Sequence, residues 1–311
     1  MKIICRSVIH LDASAKNPAI KSLRKVLYCG KIVKAALPKK SGWAKKLRIG
    51  CSGWGYKDWI GPFYPAGTPQ SDFLKFYSRV FNAVEIDSSF YRIPNPPMIS
   101  NWKAITPDDF VFTAKLPKRM THDKHLVGID NDIAYFQKTM KGFGKKLGGV
   151  VVQLPPSFKY EKDLEGLKDF LQLIDKDIRY AIEFRHKSWF RDDIYKLLKD
   201  KNVSMAWAIT QYLETPTEMT ADFLYLRMVG DREIEHFTGI QKDQSDMMKK
   251  WVKRVEEKSD SFADGFIFFN NHFAGFGPAS VNEFRRLAGM IEQQWSNVEG
   301  FSSKQASLGD F

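Results

Sequence analysis

The sequence predicts an α/β protein built as a single (β/α)8 TIM barrel with a basic N-terminal extension. Three observations carry this. From residue 47 onward, short β-rich runs alternate with amphipathic helical stretches; there are eight such runs; and polar residues gather at the C-terminal ends of seven of them. Strands alternating with helices make a parallel sheet, and eight units favour a closed barrel over an open doubly wound sheet. The 311 residues suffice for one barrel of about 250 residues.

The runs begin with "LRIGCSGW" (47–54), "AVEIDSSF" (83–90), "FVFTAKLP" (110–117) and "GGVVVQLP" (148–155). They continue with "RYAIEFR" (179–185), "VSMAWAI" (203–209), "FLYLRMV" (223–229) and "GFIFFNN" (265–271). Between them, apolar residues recur at three- and four-residue spacing, which predicts helices over 72–81, 132–143, 161–174, 192–201, 244–258 and 279–295. The segment 210–221 lacks a helical pattern, and the Pro-rich "IPNPPMI" (93–99) reads as a loop. Residues 296–311 are small and polar, a tail expected to fray.

Charge divides the chain unevenly. The net charge is +12, yet residues 1–46 hold twelve Lys and Arg against one acid, Asp12. Basicity is therefore a property of the extension, where a helix around 20–28 fits the pattern. Such an arm either binds nucleic acid through counterion release or is a solvated extension, and charge runs are more often the latter. The opening "MKIICRSVIHL" is a poor secretory signal, and no apolar run reaches the ~20 residues of a membrane helix. Cys5, Cys29 and Cys51 form neither a C-x-x-C motif nor a disulfide framework, which fits a reducing cytoplasm. Oligomeric state leaves no mark on the sequence.

The strand ends hold the chemistry. "IEFR" puts Glu183 and Arg185 on one face of an otherwise apolar strand, because side chains alternate. Ser52-Gly53-Trp54 end the first run, Glu85 and Asp87 the second, Lys115 the third, Gln153 the fourth, Arg227 the seventh, and Asn270, Asn271 and His272 the eighth. Active sites of such barrels lie at this face. Three acids and three cations then meet at one mouth, which is either a substrate pocket or a structural salt-bridge layer.

Six stretches bear a likeness to a known family: "GCSGWGYKDWIGPFYP" (50–65), "VEIDSSFYRIP" (84–94), "FTAKLPKRMTH" (112–122), "VVQLPPSF" (151–158), "IEFRHKSWF" (182–190) and "IFFNNHFAGFGP" (267–278). Together they closely resemble domain of unknown function number 72, the YecE-like family, over about residues 47–290. The resemblance implies a TIM barrel and no established activity. This chain has Asp87-Ser88-Ser89 where the family often reads Asn-Ser-Thr.

Several chemistries compete at the mouth. A divalent cation would need Glu85, Asp87 and Glu183 as oxygen ligands; the scattered histidines argue against zinc. Paired carboxylates suit glycoside hydrolysis, but neighbouring cations hold acids ionised, which disfavours a proton donor. Lys115, Arg185 and Arg227 would clamp a phosphate or carboxylate, with Trp54, Tyr91 and Trp189 as stacking surfaces. The expectation is a hydrolase or lyase for an anionic, phosphate-bearing small molecule. Glu183, Asp87, Glu85 and His122 are the candidate acid–base groups or, for the carboxylates, metal ligands; Gln153, Asn270 and Asn271 assist binding. The alternative is a nucleic-acid binder using the arm and the aromatic mouth. No nucleophile motif stands out: Ser52 lacks an elbow sequence and Cys51 is flanked by apolar residues or glycine.

Overall fold

The structure, a computed structural model, describes residues 23–28, 31–36 and 42–301. The backbone of Leu23–Tyr28 (β1) pairs antiparallel with Lys31–Ala36 (β2), Tyr28 opposite Lys31. This corrects the helix expected over 20–28. The remainder of residues 1–41 lies outside the described residues, as do 302–311.

The body alternates strand and helix as the periodicity predicts. Its strands are β3 (Leu47–Ser52), β4 (Ala83–Ile86), β5 (Val111–Lys115), β6 (Leu147–Gln153) and β7 (Tyr180–Glu183). The sixth run is interrupted, giving β8 (Ser204–Met205) and β9 (Trp207–Thr210); β10 (Phe223–Gly230) and β11 (Asp264–Phe269) follow. Helices are α1 (Phe73–Val80), α2 (Pro96–Ile105), α3 (Asp130–Met140), α4 (Tyr160–Leu173), α5 (Asp192–Asp200), α6 (Ser245–Glu257) and α7 (Gly277–Leu287).

The nine strands form one parallel sheet in the order β8-β7-β6-β5-β4-β3-β11-β10-β9. Its two end strands are consecutive pieces of chain flanking Ala206, whose N–H bonds Ile182 O at 2.9 Å. The sheet thus curls into a nearly closed barrel.

Two helical expectations change. Asn95 caps α2 by accepting from Met98 N at 2.9 Å, and Pro96-Pro97 occupy its first turn, where a missing N–H costs nothing. The predicted loop is therefore a helix start. The last helix stops at Leu287, short of 295, because Gly289 takes φ +70° and Met290 N bonds Arg285 O at 2.8 Å.

The barrel buries two apolar layers. Outside, helices cover the sheet with a large aromatic-rich cluster. Inside, Phe223, Tyr225, Phe266 and Phe268 from adjacent strands β10 and β11 fill the space left by Ala83, Ala181 and Ala206. Large rings facing alanines let the interior side chains interdigitate. At the β3–β4 join, the Tyr77 hydroxyl accepts from Cys51 N at 2.7 Å and donates to Ala83 O at 3.0 Å. A Cβ on residue 50 would lie 1.9 Å from Ala83 O, so only glycine fits there.

Both predicted appendages partly belong to the body. Lys46 Nζ donates to Ser259 O and Phe262 O at 2.9 and 3.0 Å. Beyond α7, Phe301 lies edge-on to Phe76 of α1, ring centroids 5.1 Å apart. Among the described residues no helix is long and apolar enough to cross a membrane.

Candidate functional site

The alternation that put Glu183 and Arg185 on one face operates on every neighbouring strand. Ala83 and Glu85, Val151 and Gln153, Ala181 and Glu183, and Tyr225 and Arg227 are i, i+2 pairs with the apolar member deeper in the barrel. Above the rings and alanines, one layer outward, lies a layer of charge.

Arg227 is its centre. Its Nε donates to Glu85 Oε2 at 2.9 Å and its Nη2 to Glu85 Oε1 at 2.7 Å, a two-pronged pair. Nη1 donates to Gln153 Oε1 at 3.1 Å and to Glu183 Oε2. Arg185 closes the circuit, with Nε to Glu183 Oε1 at 2.6 Å and Nη2 to Gln153 Oε1 at 3.1 Å. Tyr225 donates to Glu85 Oε2 at 2.8 Å and its oxygen lies 2.9 Å from Thr113 Oγ1. Glu85 and Glu183 are fully buried and Arg227 is 3 % exposed. Two acids and two guanidinium groups balance, which is what makes such burial tolerable.

The electrostatics follow from this packing. Burial alone would raise the Glu183 pKa, but Arg185 and Arg227 outweigh it and hold the carboxyl at about 2. Burial works against the Arg227 cation, yet Glu85 and Glu183 push its pKa well above the ordinary value. Burial drives the Tyr225 phenol well up, with Glu85 adding to the effect.

Closer to solvent the pattern changes. Lys115 lies mostly buried, its Nζ 3.3 Å from Asp87 Oδ1 and 3.9 Å above the Phe90 ring. Burial lowers its pKa, with Asp87 opposing and Arg227 assisting. Half-buried His122 sits edge-on to the same ring, and its Nδ1 is 2.9 Å from Thr121 Oγ1. Burial, then Lys115 and Arg185, lower its pKa to about 4, so the imidazole is neutral at pH 7. Among the described residues, Lys115 and Arg185 both retain N–H groups without an acceptor: Lys115 Nζ makes a single hydrogen bond and Arg185 Nη1 makes none.

Glu85, Asp87, Lys115, His122, Gln153, Glu183, Arg185 and Arg227 thus come together as the strand ends predict, linked directly or through Phe90 and mutual charge. Other candidates do not join them. Trp189 is fully buried between Phe158 and Phe184, its Nε1 bonded to Phe158 O, so it offers no face to a ligand. Trp54 packs edge-on against Trp102. Asn271 Oδ1 receives Trp59 Nε1 and Gly277 N, and Asn270 Oδ1 receives His272 N; both amides shape the turn into α7. Tyr91 is 80 % exposed and touches the site only through Phe90.

Sequence reading missed Tyr225 and Thr113. The signal was present: each lies two residues before a chosen cation, Arg227 and Lys115. A tyrosine among Phe and Leu reads as core, and only its partner across the barrel reveals the polar role.

A divalent cation does not fit. The Arg227 guanidinium fills the space between Glu85 and Glu183, and among the described residues no three His, Cys, Asp or Glu converge. The three-carboxylate set considered from the sequence is not formed. Burial pushes the Cys51 thiol up, leaving it inert.

Comparison with known proteins places this arrangement. A family model described as "Protein of unknown function DUF72" matches residues 48–305. The UPF0759 protein YunF of Bacillus subtilis is 26% identical over 289 residues, 84% of this chain and 99% of that protein. The UPF0759 protein YecE of Escherichia coli K12 is 29% identical over 144 residues, so the match spans only 50% of its length and 46% of this chain. A DUF72 family crystal structure from Thermotoga maritima superposes with TM-score 0.68 at 26% identity, covering 78% of this chain and 98% of that one. One from Enterococcus faecalis gives 0.64 at 16% identity, covering 81% and 99%.

Proposed function

This chain belongs to the DUF72 family, and from that premise we propose that its barrel mouth binds a small phosphate-bearing anion and hydrolyses or eliminates from it. The supporting observation is that Lys115 and Arg185 hold unpartnered N–H donors at the solvent side of an otherwise satisfied network. An ammonium and a guanidinium in a partly desolvated setting are strong acceptor-seeking groups for phosphate oxygens. Arg227 does not take part in binding: its donors are committed to Glu85, Glu183 and Gln153. For the same reason Glu183 is a positioning group holding Arg185, and Asp87 and His122 are the acid–base pair beside the anion.

On this reading the nearly closed sheet is a (β/α)8 barrel whose sixth strand is split, working in a reducing compartment such as the cytoplasm. The nucleic-acid reading depends on the basic extension, most of which lies outside the described residues, and no contact favours it.

The binding step carries a signature. A phosphate dianion beside Lys115 and Arg185 cancels part of the field that keeps His122 unprotonated, so binding raises its pKa from about 4. Titration of inorganic phosphate and simple phosphomonoesters, followed by imidazole NMR shifts, reads this directly. The expected result is saturable binding with an upward His122 shift, both lost in Lys115→Met and Arg185→Ala. Absence of binding in the wild-type protein at millimolar phosphate sinks the reading.

A further inference from the structure

Outside the barrel mouth, three polar side chains from separate segments line up beside the start of α4. His125 lies in the loop after β5, Ser157 in the loop after β6, and Asp163 in the first turn of α4. Asp163 Oδ1 is 3.0 Å from His125 Nδ1, and Ser157 Oγ is 3.3 Å from His125 Nε2. An ionised carboxylate only accepts, so Nδ1 carries the ring proton and Nε2 is left as the acceptor for the serine hydroxyl. That is the tautomer a general base requires beside a nucleophile.

The array is held from behind. Asp163 Oδ2 accepts from Lys159 N at 2.6 Å, which fixes the carboxylate to the helix start. The His125 ring lies against Phe158, centroids 5.6 Å apart. His125 and Leu126 have φ of +48° and +65°, two consecutive non-glycine residues in the left-handed region. An L-residue is strained in that region, and strain of this kind collects at functional sites. Burial of Leu126 (1 % exposed) and its N–H bond to Met120 O hold the distortion in place. Ser157 is exposed, so its hydroxyl is reachable from solvent.

We propose that Ser157, His125 and Asp163 form a second hydrolytic site, acting on short-chain carboxylic esters. Ser157 Oγ attacks the ester carbonyl carbon, forming an acyl–serine bond while its proton passes to His125 Nε2. The ester C–O bond breaks, and the departing alcohol takes that proton. A water deprotonated by His125 then cleaves the acyl–serine, releasing the carboxylic acid and returning the proton to Ser157. Asp163 is a positioning residue throughout. Short chains follow from the open setting: Val127, 63 % exposed, is the large apolar side chain this loop presents to solvent. None of these residues belongs to the Lys115–Arg185 site, so failure of either reading leaves the other standing.

The test uses the full chain with a fluorophosphonate probe and with p-nitrophenyl acetate. The expected result is a single phosphonyl adduct mapped to Ser157 by peptide mass spectrometry, together with ester turnover, both abolished in Ser157→Ala and His125→Ala. Asp163→Asn keeps an oxygen for Lys159 N; kcat is expected to fall at least tenfold at unchanged KM and melting temperature. No adduct at Ser157, turnover that survives Ser157→Ala, or labelling indifferent to His125→Ala overturns the proposal. The three residues would then be only a tie between the loop and α4.

Discussion

The charged layer inside the barrel and the charged rim above it use the same residue types to opposite ends. Inside, Glu85, Glu183, Gln153 and Tyr225 surround Arg227, and every polar group named has a partner. At the rim, Lys115 keeps one long hydrogen bond to Asp87, and Arg185 leaves Nη1 unpaired. The difference lies in how fully each charge is paired, since Lys115 at 6 % exposed is nearly as buried as Arg227 at 3 %. A fully buried ion is tolerable only when neutralised and hydrogen-bonded, which removes it from reaction with anything else. An ion with donors to spare, as on Lys115 and Arg185, can give them to a ligand. Polar residues at strand ends are therefore two populations, and the completeness of their pairing separates them.

The harshest way to break the inner layer is Arg227→Met, which leaves Glu85 buried without a cation and Glu183 held by Arg185 alone. A loss of roughly 3–5 kcal/mol is expected in urea unfolding, the magnitude for one partner removed from a buried pair. Rim substitution should invert the pattern. Lys115→Met is expected to weaken phosphate binding at least tenfold by calorimetry while leaving the urea midpoint nearly unchanged. Tyr225→Phe, which removes one donor to Glu85, should cost about 1 kcal/mol and leave phosphate affinity intact.

Acid separates the layers without mutation. Glu183 has its pKa depressed from 4.5 to about 2, so its stabilisation is present above the unfolded value and lost as pH falls through about 2. His122 is depressed from 6.5 to about 4. The unfolded chain therefore takes up that proton first, and stability declines between about pH 6.5 and 4. A pH series of melts should show a shallow loss in the upper window, removed by His122→Asn, and a further loss below pH 4.5, removed by Glu183→Gln.

Much of this was legible in the sequence because period-2 and period-3.6 patterns are local. All eight strand runs could be located from them, and the i, i+2 rule placed Glu183 beside Arg185. What stayed hidden depends on contacts across the fold. Nothing in "VSMAWAI" marks the interruption at Ala206. Trp189 looks like a rim aromatic until Phe158 and Phe184 enclose it. The Ser157–His125–Asp163 array joins positions 32 and 38 residues apart, so no contiguous motif records it.

The interruption at Ala206 gives the cylinder one stretch where its circumference is fastened by two pieces, Ser204–Met205 on one side and Trp207–Thr210 on the other. Opening there breaks few interstrand bonds, since β8 pairs with β7 at only two positions, Ala181 with Ser204 and Ile182 with Met205. Breathing of the ring, and any dilation required to admit a bulky molecule, should concentrate at 204–210, and deuterium should replace those amide protons before the rest of the sheet.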